Sequence, residues 1–271
     1  MHFKSGKVLP LHFLLFLTVH ILISCSDVTT SEKVQTNDTL LIAPILEEID
    51  SVTPGAPVFP MLNNENAEAF LLDFLEKNPQ RKLLLTTRLG SLKVRLFDDT
   101  PLHTANFLML IQRGYFDGTE FTRVVRDFVV QGGNNDSETE ELKRLVIGNY
   151  KLREEISSKH IHRKGALAMA RQYENNPEKE SSAYDFYFVH GRTFNEPQLL
   201  AIEREHEMKI SPAHRELYYN TGGAPHLDGQ HTVFGEIYEG LDVLDKMAAV
   251  KTDASNWPDD PLIMEISIIH E

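Results

Sequence analysis

The sequence predicts a mainly β domain, a closed barrel of short strands with few helices, carried behind an N-terminal address and a polar tether. Three observations lead there. Apolar runs of strand length recur from residue 82 to residue 269, separated by glycine and polar turn signals. Only a few stretches carry helical periodicity. The composition, 41% hydrophobic and 25% charged with 15 Gly and 13 Pro in 271 residues, is that of an ordinary folded domain rather than a disordered or fibrous chain. Many short strands with few helices hide their unpaired edges best by curling the sheet onto itself.

Lys4 and Lys7 precede an apolar run of 16 residues from Val8 to Ile23, with no acidic residue before Asp27. The run is shorter than the roughly 20 residues a spanning helix needs, and its cations stand on one side. This predicts a cleaved export signal over residues 1–24. The stretch Leu22-Ile23-Ser24-Cys25 resembles the lipobox of bacterial lipoproteins, which implies that Cys25 is lipidated and becomes the first residue of the mature chain. Each buried methylene contributes about 0.8 kcal/mol, so several acyl chains make a stable membrane anchor. The implied location is the bacterial cell envelope, periplasmic or surface-facing. Residues 25–63 are rich in Ser, Thr, Asp, Glu and Pro and read as a flexible tether, too polar to offset the entropy of ordering.

Residues 64–80 form an N-terminal helix, since Ala67, Phe70, Leu71, Phe74 and Leu75 recur at helical spacing. Lys82 to Thr87 and Ser91 to Leu96 read as two strands of a hairpin joined at Leu89-Gly90. Thr100 is positioned to cap a helix that has Pro101 in its first turn, Gly114 past its end, and Ala105, Phe107, Leu108 and Ile111 on its apolar face. Further strands are expected at 119–125, 128–132, 166–170, 186–189, 233–237 and 263–269, all within a domain spanning 81–271. An insertion at about 192–224 carries two helices, one starting at Asn195 and Pro197, the other at Ser211 and Pro212, and closes at Gly222-Gly223. Its Leu199, Leu200, Ile202, Leu217, Tyr218 and Tyr219 either form a satellite core beside the main domain or mark a passive surface excursion.

Four blocks occur in order: Phe121-Thr122-Arg123, then Phe128-Val129-Val130-Gln131-Gly132-Gly133, then Lys164 to Ala170, then Leu227 to Gly235. Together they resemble the signature of the cyclophilin-type peptidyl-prolyl isomerases, over about residues 82–270. The resemblance implies an eight-stranded antiparallel barrel closed by two helices, the second over Leu241 to Ala249. It also implies rotation of Xaa-Pro bonds without cofactor or metal, in unfolded or exported proteins, by a monomer.

Twisting an Xaa-Pro amide breaks its resonance against a barrier near 20 kcal/mol and turns the prolyl nitrogen into a hydrogen-bond acceptor. A fixed donor beside that nitrogen stabilises the twisted state more than the planar one. Arg123 suits this task, since its guanidinium stays charged and offers several donors. By match to the family motifs, Arg123 is the catalytic donor and Gln131 bonds the substrate backbone. Phe128, Val129, Tyr187 and Leu227 line a slot for the proline ring with His231 at its edge, and the backbone of Ala170 pairs with the peptide. Val129 and Leu227 also fit plain core packing.

Three residues depart from the family pattern: Asp185 replaces a glutamine, Arg171 an asparagine, and His226 the tryptophan of many members. An anion at 185 is expected to be able to clamp Arg123 in a salt bridge, which favours a second reading, a low-activity or inactive module that only binds Pro-containing peptides.

The charge balance of 27 Lys plus Arg against 40 Asp plus Glu, a net −13, argues against nucleic-acid binding. Loss of the signal takes Lys4 and Lys7 with it, so the mature chain carries 25 − 40 = −15. Electrostatic adhesion to anionic lipids is therefore excluded as well, leaving the acyl chains as the anchor. One cysteine rules out an internal disulfide framework and any multi-thiolate zinc site.

Overall fold

The computed structural model describes residues 59–270; the expected export signal, Cys25 and the part of the expected tether before Phe59 lie outside them. Alternation of apolar and polar residues builds the sheet. In β1 (Lys82–Thr87) Leu83, Leu85 and Thr87 are buried, and in β2 (Gly90–Leu96) Leu92, Val94 and Leu96 are. The hairpin turn is Arg88-Leu89, and Gly90, at φ +130°, already pairs with Thr87. The other strands are β3 (Phe121–Val125), β4 (Val129–Gly132), β5 (Ala166–Met169), β6 (Phe186–Val189), β7 (Val233–Glu239) and β8 (Glu265–Ile268). They form one antiparallel sheet of eight strands in the order β8-β1-β2-β7-β5-β6-β4-β3. The sheet curls until its edges meet: Phe121 N donates to Leu262 O at 3.0 Å and Met264 N to Thr119 O at 2.9 Å. All eight expected strands are present, as is the barrel.

Strands β5 and β6 are buried on both faces. Leu167, Met169, Phe186 and Phe188 point into the main core between sheet and helices. Their neighbours Ala166, Ala168, Tyr187 and Val189 join Val129, Leu227 and Val233 in a separate apolar cluster on the opposite face. A period of two thus divides each strand between barrel interior and outer groove.

Helix α1 (Ala67–Lys77) lies within the expected range, and residues before Asn64 pack against it. Phe59 packs on Phe70 and Phe74 with ring centroids at 6.5 and 6.1 Å, and Leu62 is 1% exposed. Leu62–Asn63 pairs in parallel with Gly148–Asn149. The expected tether over 25–63 is therefore too long at its end, because the apolar face of α1 needs a cover that Phe59 and Leu62 supply. A Cβ at Gly148 would stand 1.9 Å from Leu62 O, so only glycine admits this crossing.

Helix α2 (Pro101–Gln112) is buried continuously from Leu102 to Leu110. Thr100 does not cap it; its hydroxyl turns to Phe97 O. The Glu155 carboxylate, from a distant loop, instead accepts from Leu102 N at 2.9 Å, His103 N at 3.0 Å and His103 Nδ1 at 2.7 Å. Asn106 Nδ2 donates to Ala183 O at 2.7 Å, and this bond holds the segment just before Asp185 against the core.

Helix α3 (Glu138–Ile147) is absent from the sequence expectations. Its Ser137 accepts from Glu140 N, a usable start signal, but only Glu140 and Ile147 are buried, too few to mark a periodic face. The insertion carries α4 (Glu196–Glu205), capped reciprocally by Asn195 and Gln198, and α5 (Pro212–Asn220), capped by Ser211. Leu199, Tyr218, Ile161 and Ile210 form a satellite core, with Ile202 and Tyr219 packed against it. Leu200 and Leu217 are exposed instead, at 42% and 38%. Both lie on outward turns of short helices that have one apolar face to bury. Helix α6 (Leu241–Ala248) is the second closing helix. Among the described residues no helix is long and apolar enough to cross a membrane.

Candidate functional site

Backbone register assembles the site. Arg123 on β3 is the cross-strand partner of Gln131 on β4, and Gln131 is the partner of Tyr187 on β6. Side chains of paired residues share a face, so these three form a row on the groove side of the sheet. Around the row lies a groove of about 290 Å³. Its lining includes Arg123, Phe128, Val129, Gln131, Ala170, Arg171, Asp185, Tyr187, Leu227 and His231. Val129 and Leu227, 2% and 7% exposed, both line the groove and pack in the apolar cluster beneath it, so the two sequence readings of these residues are compatible. A second cavity, about 310 Å³, shares Arg171 and Asp185 with the first and continues past Gln172 and Asn176.

Arg123 donates from Nη1 to Gln131 Oε1 at 3.2 Å, and its guanidinium carbon lies 5.6 Å from the Phe128 ring centroid. Among the described residues it has no ion pair and no second hydrogen bond. The salt bridge considered between Asp185 and Arg123 does not form. Gln131 stands between them, its Nε2 donating to both oxygens of Asp185 at 3.1 Å. Burial pushes the Asp185 carboxyl up to about 6, against the opposing pull of the Gln131 bond and the Arg123 charge. A carboxylate that accepts from Nε2 leaves Oε1 facing Arg123, so the glutamine amide has one orientation and the guanidinium keeps its remaining donors.

Ala170 is placed differently from its expected role. Its N–H already donates to Asp185 O at 2.8 Å and its carbonyl accepts from Ser182 N at 2.8 Å. The next residue, Arg171, has neither main-chain group bonded within the described residues, which makes it the better backbone partner for an extended peptide. The Arg171 side chain folds back: Nε donates to Gln230 O at 2.7 Å, and the guanidinium sits 4.1 Å from the Tyr173 ring centroid.

His226 is not among the groove-lining residues. It stacks on Phe128 from outside, ring centroids 5.4 Å apart, and burial lowers its pKa. His231 does line the groove. Its Nδ1 bonds Met169 O at 3.1 Å and its Nε2 the Tyr173 hydroxyl at 2.7 Å, while burial pushes its pKa down to about 4. The ring is therefore neutral near pH 7, with Nδ1–H donating to the carbonyl and Nε2 accepting from the tyrosine.

Tyr173 and His162 were missed by the sequence reading. Tyr173 lies in a polar loop with no periodic signal, though an aromatic two residues after a groove-lining arginine was a usable cue. His162 is fully buried, and its Nε2 meets the Tyr187 hydroxyl at 3.0 Å behind the groove. Cys25, the expected lipidation site, lies outside the described residues. Among the described residues, no three His, Cys, Asp or Glu side chains converge as a metal-binding group. The arrangement is a spare cationic donor at the edge of an aromatic and apolar slot, suited to stabilising a nitrogen that gains a lone pair as an amide twists.

Residues 82–268 match the family model described as cyclophilin type peptidyl-prolyl cis-trans isomerase/CLD. A Streptococcus pyogenes protein named "Putative bifunctional phosphatase/peptidyl-prolyl cis-trans isomerase" is 31% identical over 194 residues, 70% of this chain and 39% of that protein. The chain thus spans well under half of that relative, and the phosphatase activity in its name is not carried over. A Staphylococcus saprophyticus protein named "Putative peptidyl-prolyl cis-trans isomerase" is 31% identical over 179 residues, 65% of this chain and 85% of that one. Among solved structures, a Cryptosporidium parvum cyclophilin type peptidyl-prolyl cis-trans isomerase, determined in the presence of dipeptide Ala-Pro, has TM-score 0.50 and 22% identity. The match covers 70% of this chain and 100% of that one, and at this identity the likeness concerns the fold.

Proposed function

Since this chain belongs to the cyclophilin-type peptidyl-prolyl cis-trans isomerases, we propose that it turns Xaa-Pro bonds of exported proteins from a lipid-anchored position in a bacterial envelope, with Arg123 as catalytic donor. The observation that carries the site assignment is the state of Arg123: half-buried beside the Phe128 ring, with Gln131 as its one side-chain hydrogen-bond partner among the described residues and its other donors unspent beside the slot. The proline ring enters between Phe128, Val129, Tyr187 and Leu227, which hold it still while the preceding carbonyl swings. The guanidinium donates to the prolyl nitrogen as it pyramidalises, and Gln131 holds the guanidinium in place. The Arg171 main chain takes the extended peptide. No bond to a heavy atom is made or broken, so neither nucleophile nor metal is needed.

The reading as a purely binding module loses its main support, because Asp185 engages Gln131 and leaves Arg123 free. The test is isomerisation of a short Ala-Pro peptide by the full-length chain. Arg123→Ala should lower kcat/KM by roughly 10²- to 10³-fold, the range for removing one preorganised donor. Unchanged activity would sink the assignment.

The envelope location rests on the Lys4, Lys7 and apolar-run pattern and on the lipobox-like Leu22-Ile23-Ser24-Cys25. Wild-type chain expressed in a bacterium should sediment with membranes and Cys25→Ser should not. Equal partitioning of the two would remove the anchor from the reading.

A further inference from the structure

Tyr187 places a hydroxyl on the ring that floors the proline slot, yet the slot must be apolar to hold a pyrrolidine ring. The structure disposes of that hydroxyl behind the sheet. Tyr187 OH meets His162 Nε2 at 3.0 Å. His162 Nδ1 meets Asp228 Oδ1 at 3.0 Å, and the same oxygen accepts from His162 N at 2.8 Å. The other oxygen, Asp228 Oδ2, accepts from Tyr218 OH at 2.6 Å. Tyr218 belongs to α5 of the insertion and is fully buried, as is His162; Tyr187 is 4% exposed.

Each link fixes the next. Asp228 Oδ1 can only accept, so Nδ1 carries a proton toward it, which fixes the ring plane and sets Nε2 against the Tyr187 hydroxyl. Held there, the hydroxyl points away from the groove and the ring presents only its face. Asp228 is in turn aimed by the Tyr218 hydroxyl. The exit of the insertion is locked against the same histidine: Ala224 N donates to His162 O at 2.7 Å, and a Cβ at Gly223 would stand 2.2 Å from that oxygen. The insertion thus reaches the slot through four residues without touching the groove.

We propose that the insertion is a positioning element for the isomerase site, and that Tyr218, Asp228 and His162 are positioning residues that hold the Tyr187 ring in the slot. This rests on the slot assignment made above and deepens it. A proline ring touches Tyr187 in both the planar and the twisted states, so loosening that ring weakens the hold on both and raises KM rather than lowering kcat. General destabilisation behaves differently: it reduces the fraction of active protein, so apparent kcat falls while KM stays.

The experiment is a double-mutant cycle on the full-length chain, with kcat and KM measured on an Ala-Pro peptide. Tyr218→Phe keeps the satellite core filled and removes only the hydroxyl. The expected result is an increase in KM of about fivefold with kcat nearly unchanged, and a similar increase for Tyr187→Phe. In the double variant Tyr218→Phe should add nothing, because the hydroxyl through which it acts is gone. Multiplicative effects, a fall in kcat at constant KM, or no effect of Tyr218→Phe would overturn the proposal. Arg123→Ala, run alongside, separates the failures: full activity there removes the slot reading itself, whereas a strong loss there with a multiplicative cycle removes only the role of the insertion.

Discussion

Two polar chains end in the same groove and are built on opposite plans. At the open edge, Arg123, Gln131 and Asp185 form a relay whose terminal guanidinium keeps donors to spare. Beneath the slot, Tyr187, His162, Asp228 and Tyr218 form a buried relay in which each side-chain polar group has a partner. The difference teaches how one sheet face serves two needs. A donor that acts on substrate must be left incompletely satisfied and near water, where that costs little. A polar atom that only supports an apolar surface must be fully paired, since an unpaired buried group costs about 1–3 kcal/mol. Activity should therefore be concentrated in the first chain and stability in the second.

The largest expected effect tests the first half of that contrast. Arg123→Ala should reduce kcat/KM by roughly 10²- to 10³-fold while shifting unfolding free energy by less than about 0.5 kcal/mol, as for other lightly bonded, part-exposed positions. A denaturant titration showing major destabilisation would break the comparison. Next, His162→Ala leaves the Tyr187 hydroxyl without its partner and opens a buried void, while Asp228 keeps its bonds from the main-chain N–H of residue 162 and from Tyr218, so it should cost about 3 kcal/mol of stability, read from the midpoint of urea unfolding.

Asp185 sits between the two plans, since it is buried but held by a neutral amide. Its folded pKa of about 6 lies above the usual carboxyl value, so the folded state binds the proton more tightly than the unfolded chain does. Its contribution to stability is then most favourable below about pH 4 and declines as pH rises to about 6, by as much as ~3 kcal/mol, after which it is flat. Asp185→Asn should remove that decline and raise Tm at pH 8, with little change at pH 4. If wild type and variant show parallel pH profiles of Tm, the assignment of this titration to Asp185 is wrong. The same variant tests the relay, since an asparagine amide no longer dictates the orientation of Gln131.

The smallest effect is expected at the rim. Tyr173→Phe frees His231 Nε2 but leaves the bond from Nδ1 to Met169 O. A change in kcat/KM of about threefold or less is expected, in line with loss of one part-exposed neutral hydrogen bond. A loss approaching that of Arg123→Ala would move Tyr173 into the catalytic set.

Much of the fold was legible because its strands alternate with period two and carry dense motifs. Leu83, Leu85, Leu92 and Val94 announce their faces without help from distant residues. Elements whose partners are remote were not legible. Thr100 looks like a cap, yet the cap of α2 is Glu155, 53 residues from Leu102. Helix α3 hides behind its charges, and Leu62 reads as tether because its register partner, Gly148, is far along the chain. In the site, residue identities came through the motif blocks, but pairings did not. That Asp185 bonds Gln131 rather than Arg123, and that Ala170 is already engaged by Asp185 and Ser182, are tertiary contacts that no local pattern shows.

What the amino-acid order determined by itself is the part of this protein that depends on local spacing: strand alternation, helix starts and the motif blocks that carry the family. What only the tertiary structure decided is which polar atoms are spent and which remain free. Hydrogen bonds in a buried site are a competition among all groups within reach, and reach is set by how residues 54 and 66 positions apart in sequence are brought together. That competition leaves Arg123 open to substrate and closes the hydroxyl of Tyr187 away from it.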